Sequence, residues 1–172
     1  MTAASGAFLL RDAQPADLAP IVAIYNASIP GRLATGDLEP VSVESRRDWF
    51  KAHSPASHPL IVAQDHAGTV LGWGGLSQFY GRAAYRFTAE ISVYVGPQHL
   101  RRGIANALTD ELLGRCPRLK IKNVLAFIFG HNEPSVRFFA GKGFVRCAHL
   151  PRIADLDGVE RDLDIYLLRL EP

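Results

Sequence analysis

The residues of this sequence that could do chemistry lie close together, between positions 90 and 108. Glu90 begins a run to Val95 whose β-branched and aromatic residues are typical of a strand, and Gly96-Pro97 breaks it. A basic turn with Arg101 and Arg102 leads to Gly103, and apolar residues at helical spacing then predict a helix: Ile104, Ala107, Leu108 and Leu112. A carboxylate can accept a proton, and the start of a helix can hold an anion.

The turn at Gly103 has the features of an anion site. The first amides of a helix lack intrahelical partners, and together with the helix dipole they attract negative charge. Gly103 has no Cβ and Ala105 has only a methyl group, so a phosphate could approach the backbone beside the charges of Arg101 and Arg102. The pattern is weak by itself, because an ordinary strand-to-helix turn with solvated arginines contains the same residues.

Glu90 lies on the polar face of its strand. Because side chains alternate along a strand, the two faces carry different sets: Thr88, Glu90, Ser92 and Tyr94 on one, and Ala89, Ile91, Val93 and Val95 on the other. We expect the polar set to face a cleft and the apolar set to face the core. From the residues alone, Glu90 is either a functional proton acceptor or a solvated carboxylate.

The rest of the chain supplies the elements that position these residues. Strands are predicted at 7–12, 60–63, 69–76, 85–95, 124–129, 144–150 and 162–170. Helices are predicted at 14–26, 43–52 and 103–115, and a further one follows Asn132 and ends at Gly141-Lys142-Gly143. This order predicts an α/β (α+β) sandwich around one mixed sheet of about seven strands, flanked by about four helices.

Composition limits the class of protein. The 172 residues fit a single domain spanning 1–172, and 48% hydrophobic with 21% charged residues is typical of a soluble globular chain. A net charge of +2 with scattered basic residues does not favour a nucleic-acid or membrane partner. Met1–Ser5 has no signal-peptide character. Cys116 and Cys147 have no metal-ligand spacing, which favours buried thiols in a reducing cytosol and no metal site.

The turn resembles the acetyl-CoA signature of the GCN5-related N-acetyltransferase (GNAT) family, Gln/Arg-x-x-Gly-x-Gly/Ala, with Leu100 in the Gln/Arg place. The predicted order of elements is also similar to that of the family. Within it, the chain resembles the phosphinothricin and bialaphos-resistance N-acetyltransferases and their relatives that act on methionine sulfoximine and sulfone. The blocks that carry this likeness are Ile24-Tyr25-Asn26, Ala84–Glu90, Ser92–Val95, Asn132–Val136, Gly143-Phe144, Gly158 and Asp162.

The resemblance implies that acetyl-CoA is the co-substrate. The turn would cradle its pyrophosphate through residues 101 to 106: Arg101, Arg102, Gly103, Ile104, Ala105 and Asn106. Val93, Tyr94 and Val95 would offer backbone groups to the pantetheine arm, left unpaired because the strand at 124–129 splays away. Asn132, whose place before Glu133-Pro134 predicts a helix N-cap, would also contact the arm, together with Ser135.

The resemblance also implies that Glu90 is the general base. An amine must be neutral to attack a thioester, whereas amine pKa values run from roughly 8 to about 10. Many family members place a Tyr, as the acid for the departing thiolate, where this chain has Phe139, but a thiolate with a pKa near 8.5 leaves without help. Neither cysteine is placed to carry the acyl group, so we expect direct transfer in a ternary complex.

The acceptor is expected to be a small amine. Arg82, Tyr85 and Arg86 lie in or beside the loop that leads to the Glu90 strand, where an Arg could clamp an amino-acid carboxylate. Taken singly, each is more often a surface residue. Glu160, where the branch usually has Trp, and the altered loop 30–36 depart from the phosphinothricin enzymes.

The resulting hypothesis is a cytoplasmic N-acetyltransferase, homodimeric by family habit, that acts on an amino acid or a close analogue. Two alternatives stay open on the sequence. One is acetylation of protein N-termini or lysines, and the other is a non-catalytic acyl-CoA-binding sensor.

Overall fold

The computed structural model describes residues 8–170. Its strands are β1 (Leu9–Asp12), β2 (Leu60–Gln64), β3 (Val70–Gln78), β4 (Thr88–Val95), β5 (Asn123–Phe129), β6 (Val145–Leu156) and β7 (Val159–Arg169). Its helices are α1 (Leu18–Ser28), α2 (Arg47–Lys51), α3 (Ile104–Arg115) and α4 (Glu133–Gly141). The strands form one seven-stranded sheet in the order β1-β2-β3-β4-β5-β7-β6. The predicted mixed sheet with its flanking helices is confirmed.

The neighbouring strands β4 and β5 run parallel, and the other neighbours in the sheet are antiparallel. Pairing between β4 and β5 extends from Thr88 opposite Asn123 to Glu90 opposite Leu125 and goes no further. Beyond Glu90, β4 pairs with β3 alone among the strands of residues 8–170. The predicted splay is therefore confirmed, and it leaves one backbone edge of β4 open to another partner.

Apolar side chains bury both faces of the sheet. One core cluster joins Ile91 of β4 to Ile104 and Leu108 of α3, and the other joins Trp73 of β3 to Ile21 of α1. The predicted alternation along β4 is confirmed, because its apolar residues contact the first cluster and Tyr94 packs against the second.

The strand predicted from residue 85 begins instead at Thr88. Ala83–Tyr85 form a single 3₁₀ turn, in which the amide of Arg86 donates to the carbonyl of Ala83. The Arg86 guanidinium donates to the same carbonyl at 3.0 Å and covers the Phe87 ring at 4.3 Å. These local contacts hold the segment in a turn ahead of the strand.

The closing hairpin is longer than predicted, because β6 continues from Leu150 to Leu156. Asp157 and Gly158 connect it to β7 with positive φ values of 56° and 83°, as a two-residue hairpin turn requires. Between Leu150 and Ala154 the register shifts, which marks a bulge in the edge strand.

Two predictions concern the ends of the chain and its relation to membranes. Ala7, predicted to open the first strand, and the Met1–Ser5 segment lie outside the described residues. None of the helices within residues 8–170 is long and apolar enough to cross a membrane.

Candidate active site

A cleft of about 380 Å³ opens where β4 separates from β5. Glu90, Ser92 and Tyr94 of the predicted polar face line it, whereas Thr88 does not. Ile91 and Val93, predicted to face the core only, also contribute to its wall. The opposite wall comes from β5 and α4, and the connection between α1 and α2 covers the remaining side. These surrounding residues include Thr35, Arg46, Trp49, His53, Phe129, Asn132, Ser135 and Phe139.

A smaller cavity of about 160 Å³ lies at the start of α3. Gly103 is the N-cap of this helix, with a φ of 78°, and a Cβ added to it would meet no described atom within 4 Å. The amide of Ala107 makes the first helical bond, to the Gly103 carbonyl at 3.0 Å, so the preceding amides of the turn are free of intrahelical acceptors. This cavity suits an anionic group.

Consecutive residues at the end of β4 line the two cavities. Tyr94 lines the larger one and Val95 lines the smaller one, whose wall also includes Arg101, Ile104, Ala105 and Asn106. The edge of β4 that β5 leaves unpaired runs from Glu90 toward this second cavity. The arrangement suits an elongated ligand whose anionic end lies at the turn and whose reactive end lies near Glu90.

Glu90 is half-buried in the cleft wall. Burial raises the pKa of its carboxyl group above the ordinary value. Within residues 8–170, no ion pair or side-chain hydrogen bond occupies the carboxylate. A half-buried carboxyl group that remains free to take a proton is suited to general-base chemistry.

Tyr94 anchors the loop between α1 and α2. Its hydroxyl donates to the Ala34 carbonyl at 2.9 Å, and its ring stacks on Trp73 at 4.8 Å. Burial raises the pKa of Tyr94 far above the ordinary value. The side chain is therefore a structural support of the cleft, and it is poorly suited to act as a general acid.

Asn132 has the capping role predicted for it. Its side-chain oxygen accepts from the amide of Ser135 at 3.2 Å, and its side-chain nitrogen donates to the Leu33 carbonyl at 2.9 Å. The second bond ties α4 to the loop that covers the cleft. Contact of Asn132 and Ser135 with a cofactor stays a prediction.

Arg82, Tyr85 and Arg86 are not brought into the cleft of this chain. They are exposed on the segment before β4, where Tyr85 packs against Phe79 and Tyr80 in a surface aromatic group. The turn at Ala83–Tyr85 occupies the place where the start of β4 was predicted. Their role toward a substrate stays a prediction.

Arg46 is the cation that sequence reasoning missed. It lines the cleft, with its guanidinium 2.7 Å from Asp37 and 4.9 Å from the centre of the Tyr25 ring. The Tyr25 hydroxyl donates to the same Asp37 carboxylate at 2.5 Å and bonds Thr35. In the sequence, Arg46 is one of two adjacent arginines in a polar helix start, and no local signal distinguishes it from a surface residue.

Neither cysteine lines the two cavities. Cys116 is buried at the end of α3, and burial raises the pKa of its thiol to about 11. Cys147 is exposed on β6, so the prediction of buried thiols is confirmed for Cys116 and wrong for Cys147.

Comparison with known proteins identifies the family of the chain. Residues 21–144 match the model of the Acetyltransferase (GNAT) family. A Bacillus subtilis (strain 168) protein named "Putative phosphinothricin acetyltransferase YwnH" is 44% identical over 91% of this chain and 95% of that protein. The L-methionine sulfoximine/L-methionine sulfone acetyltransferase of Pseudomonas paraeruginosa (strain DSM 24068 / PA7) is 31% identical over 95% of each.

A solved structure supports the same identification. The GNAT superfamily phosphinothricin acetyltransferase from Sinorhizobium meliloti, in complex with AcCoA, superposes with a TM-score of 0.89 at 32% identity, covering 95% of this chain and 89% of that one. The chain is an N-acetyltransferase and belongs to the Acetyltransferase (GNAT) family.

Proposed function

We propose that this enzyme transfers the acetyl group of acetyl-CoA to the primary amine of a small amino acid or analogue, of the phosphinothricin, methionine sulfoximine or methionine sulfone type. The observation that carries the proposal is that Glu90, a free carboxyl group, and Arg46, a cation, line the same small cleft. To react as an acceptor, an α-amino acid needs a carboxylate that takes a proton from its amine and an Arg that binds its own carboxylate.

Acetyl-CoA, when bound, supplies the acetyl thioester. The turn at Arg101, Arg102 and Gly103, with the amides that open α3, would hold its diphosphate. The open edge of β4 at Val93–Val95 would orient its arm, and Glu90 would take the proton of the attacking amine. Because both thiols lie outside the cavities, direct transfer in a ternary complex is favoured over an acyl-cysteine route.

We assign Arg46 to the acceptor carboxylate. Asp37 holds one side of its guanidinium, and the Tyr25 ring supports one face, so the group is oriented before a substrate arrives. An Arg guanidinium has five N–H donors in a planar fork, and the contact with Asp37 uses one nitrogen, Nη2. The remaining donors can bind a second carboxylate in the cleft.

Replacing Arg46 by Met is expected to raise the KM for the amino-acid acceptor by about thirtyfold or more, since losing one partner of such a charge pair costs roughly 2–5 kcal/mol. The KM for the corresponding amino-acid amide, which has no carboxylate, should change much less. The measurement is thiol release with each acceptor at saturating acetyl-CoA.

Arg82→Ala and Arg86→Ala are the matched controls, because the sequence favours these residues and the structure leaves them outside the cleft. We expect both to keep the wild-type KM. If Arg82→Ala or Arg86→Ala raises the KM for the amino acid more than the KM for its amide, and Arg46→Met does not, the assignment to Arg46 is wrong. If peptides are better acceptors than amino acids for the wild-type enzyme, the proposal of a small-molecule acceptor is wrong and protein acetylation takes its place.

We propose further that the enzyme is a cytoplasmic homodimer. The free thiols of Cys116 and Cys147 favour a reducing compartment. Two exposed apolar side chains near the turn of the closing hairpin, Ile153 and Val159, favour association. Sedimentation equilibrium should give twice the chain mass, and Ile153→Lys should shift the equilibrium toward the monomer. A wild-type enzyme that sediments as a monomer over the assay concentrations contradicts the dimer.

A further inference from the structure

His53 is a half-buried titratable group in the cleft that the proposed reaction has not used. It follows α2, and its ring packs edge-on against Trp49 at 4.8 Å. Gly75 of β3 lies beside the ring, since a Cβ there would be 3.4 Å from the ring nitrogen Nε2. The imidazole is therefore packed in the cleft wall between Trp49 and Gly75.

The hydrogen bonds of His53 determine which nitrogen carries the proton. Nδ1 lies 2.9 Å from the Trp49 carbonyl, which can only accept, so Nδ1 is the donor. In the neutral ring Nε2 is then an acceptor. Its partner is the Ser77 hydroxyl at 3.4 Å, which must donate to it. The bond has a direction, from Ser77 to His53.

Ser77 connects this bond to Glu90. The two residues are direct cross-strand partners in the antiparallel pair of β3 and β4. Side chains at such positions share one face of the sheet, with Cβ atoms about 4.5–5.5 Å apart. Both residues line the cleft with His53. The Ser77 oxygen can therefore accept from a protonated Glu90 directly or through one water.

We propose that Ser77 and His53 form a relay that removes the proton which Glu90 takes from the acceptor amine. The proposal rests on the role of Glu90 in the proposed function. The O–H bond of the Glu90 carboxylic acid breaks and a bond to the Ser77 oxygen forms, while the original Ser77 proton passes to Nε2 of His53. Glu90 is again a carboxylate, and the His53 imidazolium loses one of its two ring protons to water.

The charges around the pair are compatible with this transfer. Burial raises the pKa of Glu90 and lowers that of His53, which brings the two groups closer in proton affinity. His58 faces His53 from the segment before β2 and lowers the pKa of His53 further, while the contact with the Trp49 carbonyl raises it. Arg46 faces the same cleft from the turn before α2.

Three substitutions test the relay. Ser77→Ala removes the hydroxyl, and His53→Gln can keep a hydrogen-bond acceptor near the serine but cannot take its proton. We expect each to lower kcat roughly tenfold, less than the loss of the general base itself, without changing the KM for acetyl-CoA. Ser77→Thr keeps the hydroxyl and should stay close to the wild-type rate. The double variant of Ser77→Ala and His53→Gln should be no slower than either single variant, because both substitutions interrupt the same proton path.

Chemical rescue separates proton transfer from packing. His53→Ala leaves space beside Gly75, and added imidazole should restore much of its rate but should not restore that of Ser77→Ala. Wild-type kcat in Ser77→Ala and His53→Gln would overturn the relay. The relay would also be overturned if Ser77→Thr lost as much activity as Ser77→Ala and if added imidazole did not restore the activity of His53→Ala. If Glu90→Gln itself keeps the wild-type rate, the failure lies in the proposed function instead.

Discussion

Replacing Glu90 by Gln is expected to lower kcat by about 10²–10⁴, the range that loss of a general base costs. Gln keeps the size of the side chain in the cleft and cannot take a proton. Because burial raises the pKa of Glu90, the wild-type rate should fall as the pH drops through that raised pKa, where the base becomes protonated. The variant should lack this acidic limb. The measurement is kcat and kcat/KM by thiol release across the pH range.

Glu111→Gln is the matched control for this prediction. Glu111 lies on α3 and pairs with Arg115 at 2.8 Å, outside both cavities. The same loss of a carboxylate there should leave kcat unchanged. Acetyl-CoA should bind Glu90→Gln as tightly as the wild type, since the diphosphate site is at the other end of the ligand. A Glu90→Gln enzyme with the wild-type rate at every pH would remove Glu90 from the reaction.

Replacing Gly103 by Val is expected to abolish the stabilisation that acetyl-CoA gives to the folded protein. At a hundredfold excess over Kd, the wild type should gain about 2.7 kcal/mol in its free energy of unfolding. The new side chain would project into the open space at the start of α3, where the phosphates must approach the backbone. The measurement is urea unfolding with and without acetyl-CoA.

Two further variants separate occupied space from backbone strain. The φ of Gly103 is 78°, which β-branched Val adopts poorly, whereas Asn tolerates this left-handed region. Gly103→Asn should therefore also lose the ligand-dependent gain. Gly114→Val is the matched control near the other end of α3, where an added Cβ meets no described atom within 4 Å, and it should keep the gain. A full gain in both Gly103 variants would show that the diphosphate binds elsewhere.

The sequence by itself determined the order of elements and the local parts of the site. The breaks at Gly96-Pro97 and the apolar spacing after Gly103 specify a strand, a turn and a helix through interactions within a few residues. The two-residue alternation of β4 likewise placed Glu90 and Ser92 on the face that lines the cleft. These features follow from short-range sterics and from the periodicity of helices and strands. Both are determined by residues within one segment of the chain.

Only the tertiary structure decided what surrounds Glu90. Ser77 becomes its neighbour through the register of β3 and β4, and His53 and Arg46 reach the cleft through the packing of distant segments. Arg82 and Arg86, which are closer to Glu90 in sequence, lie on an exposed turn and do not line the cleft. Such placements depend on many long-range contacts acting together, so no pattern within one segment of the sequence reveals them.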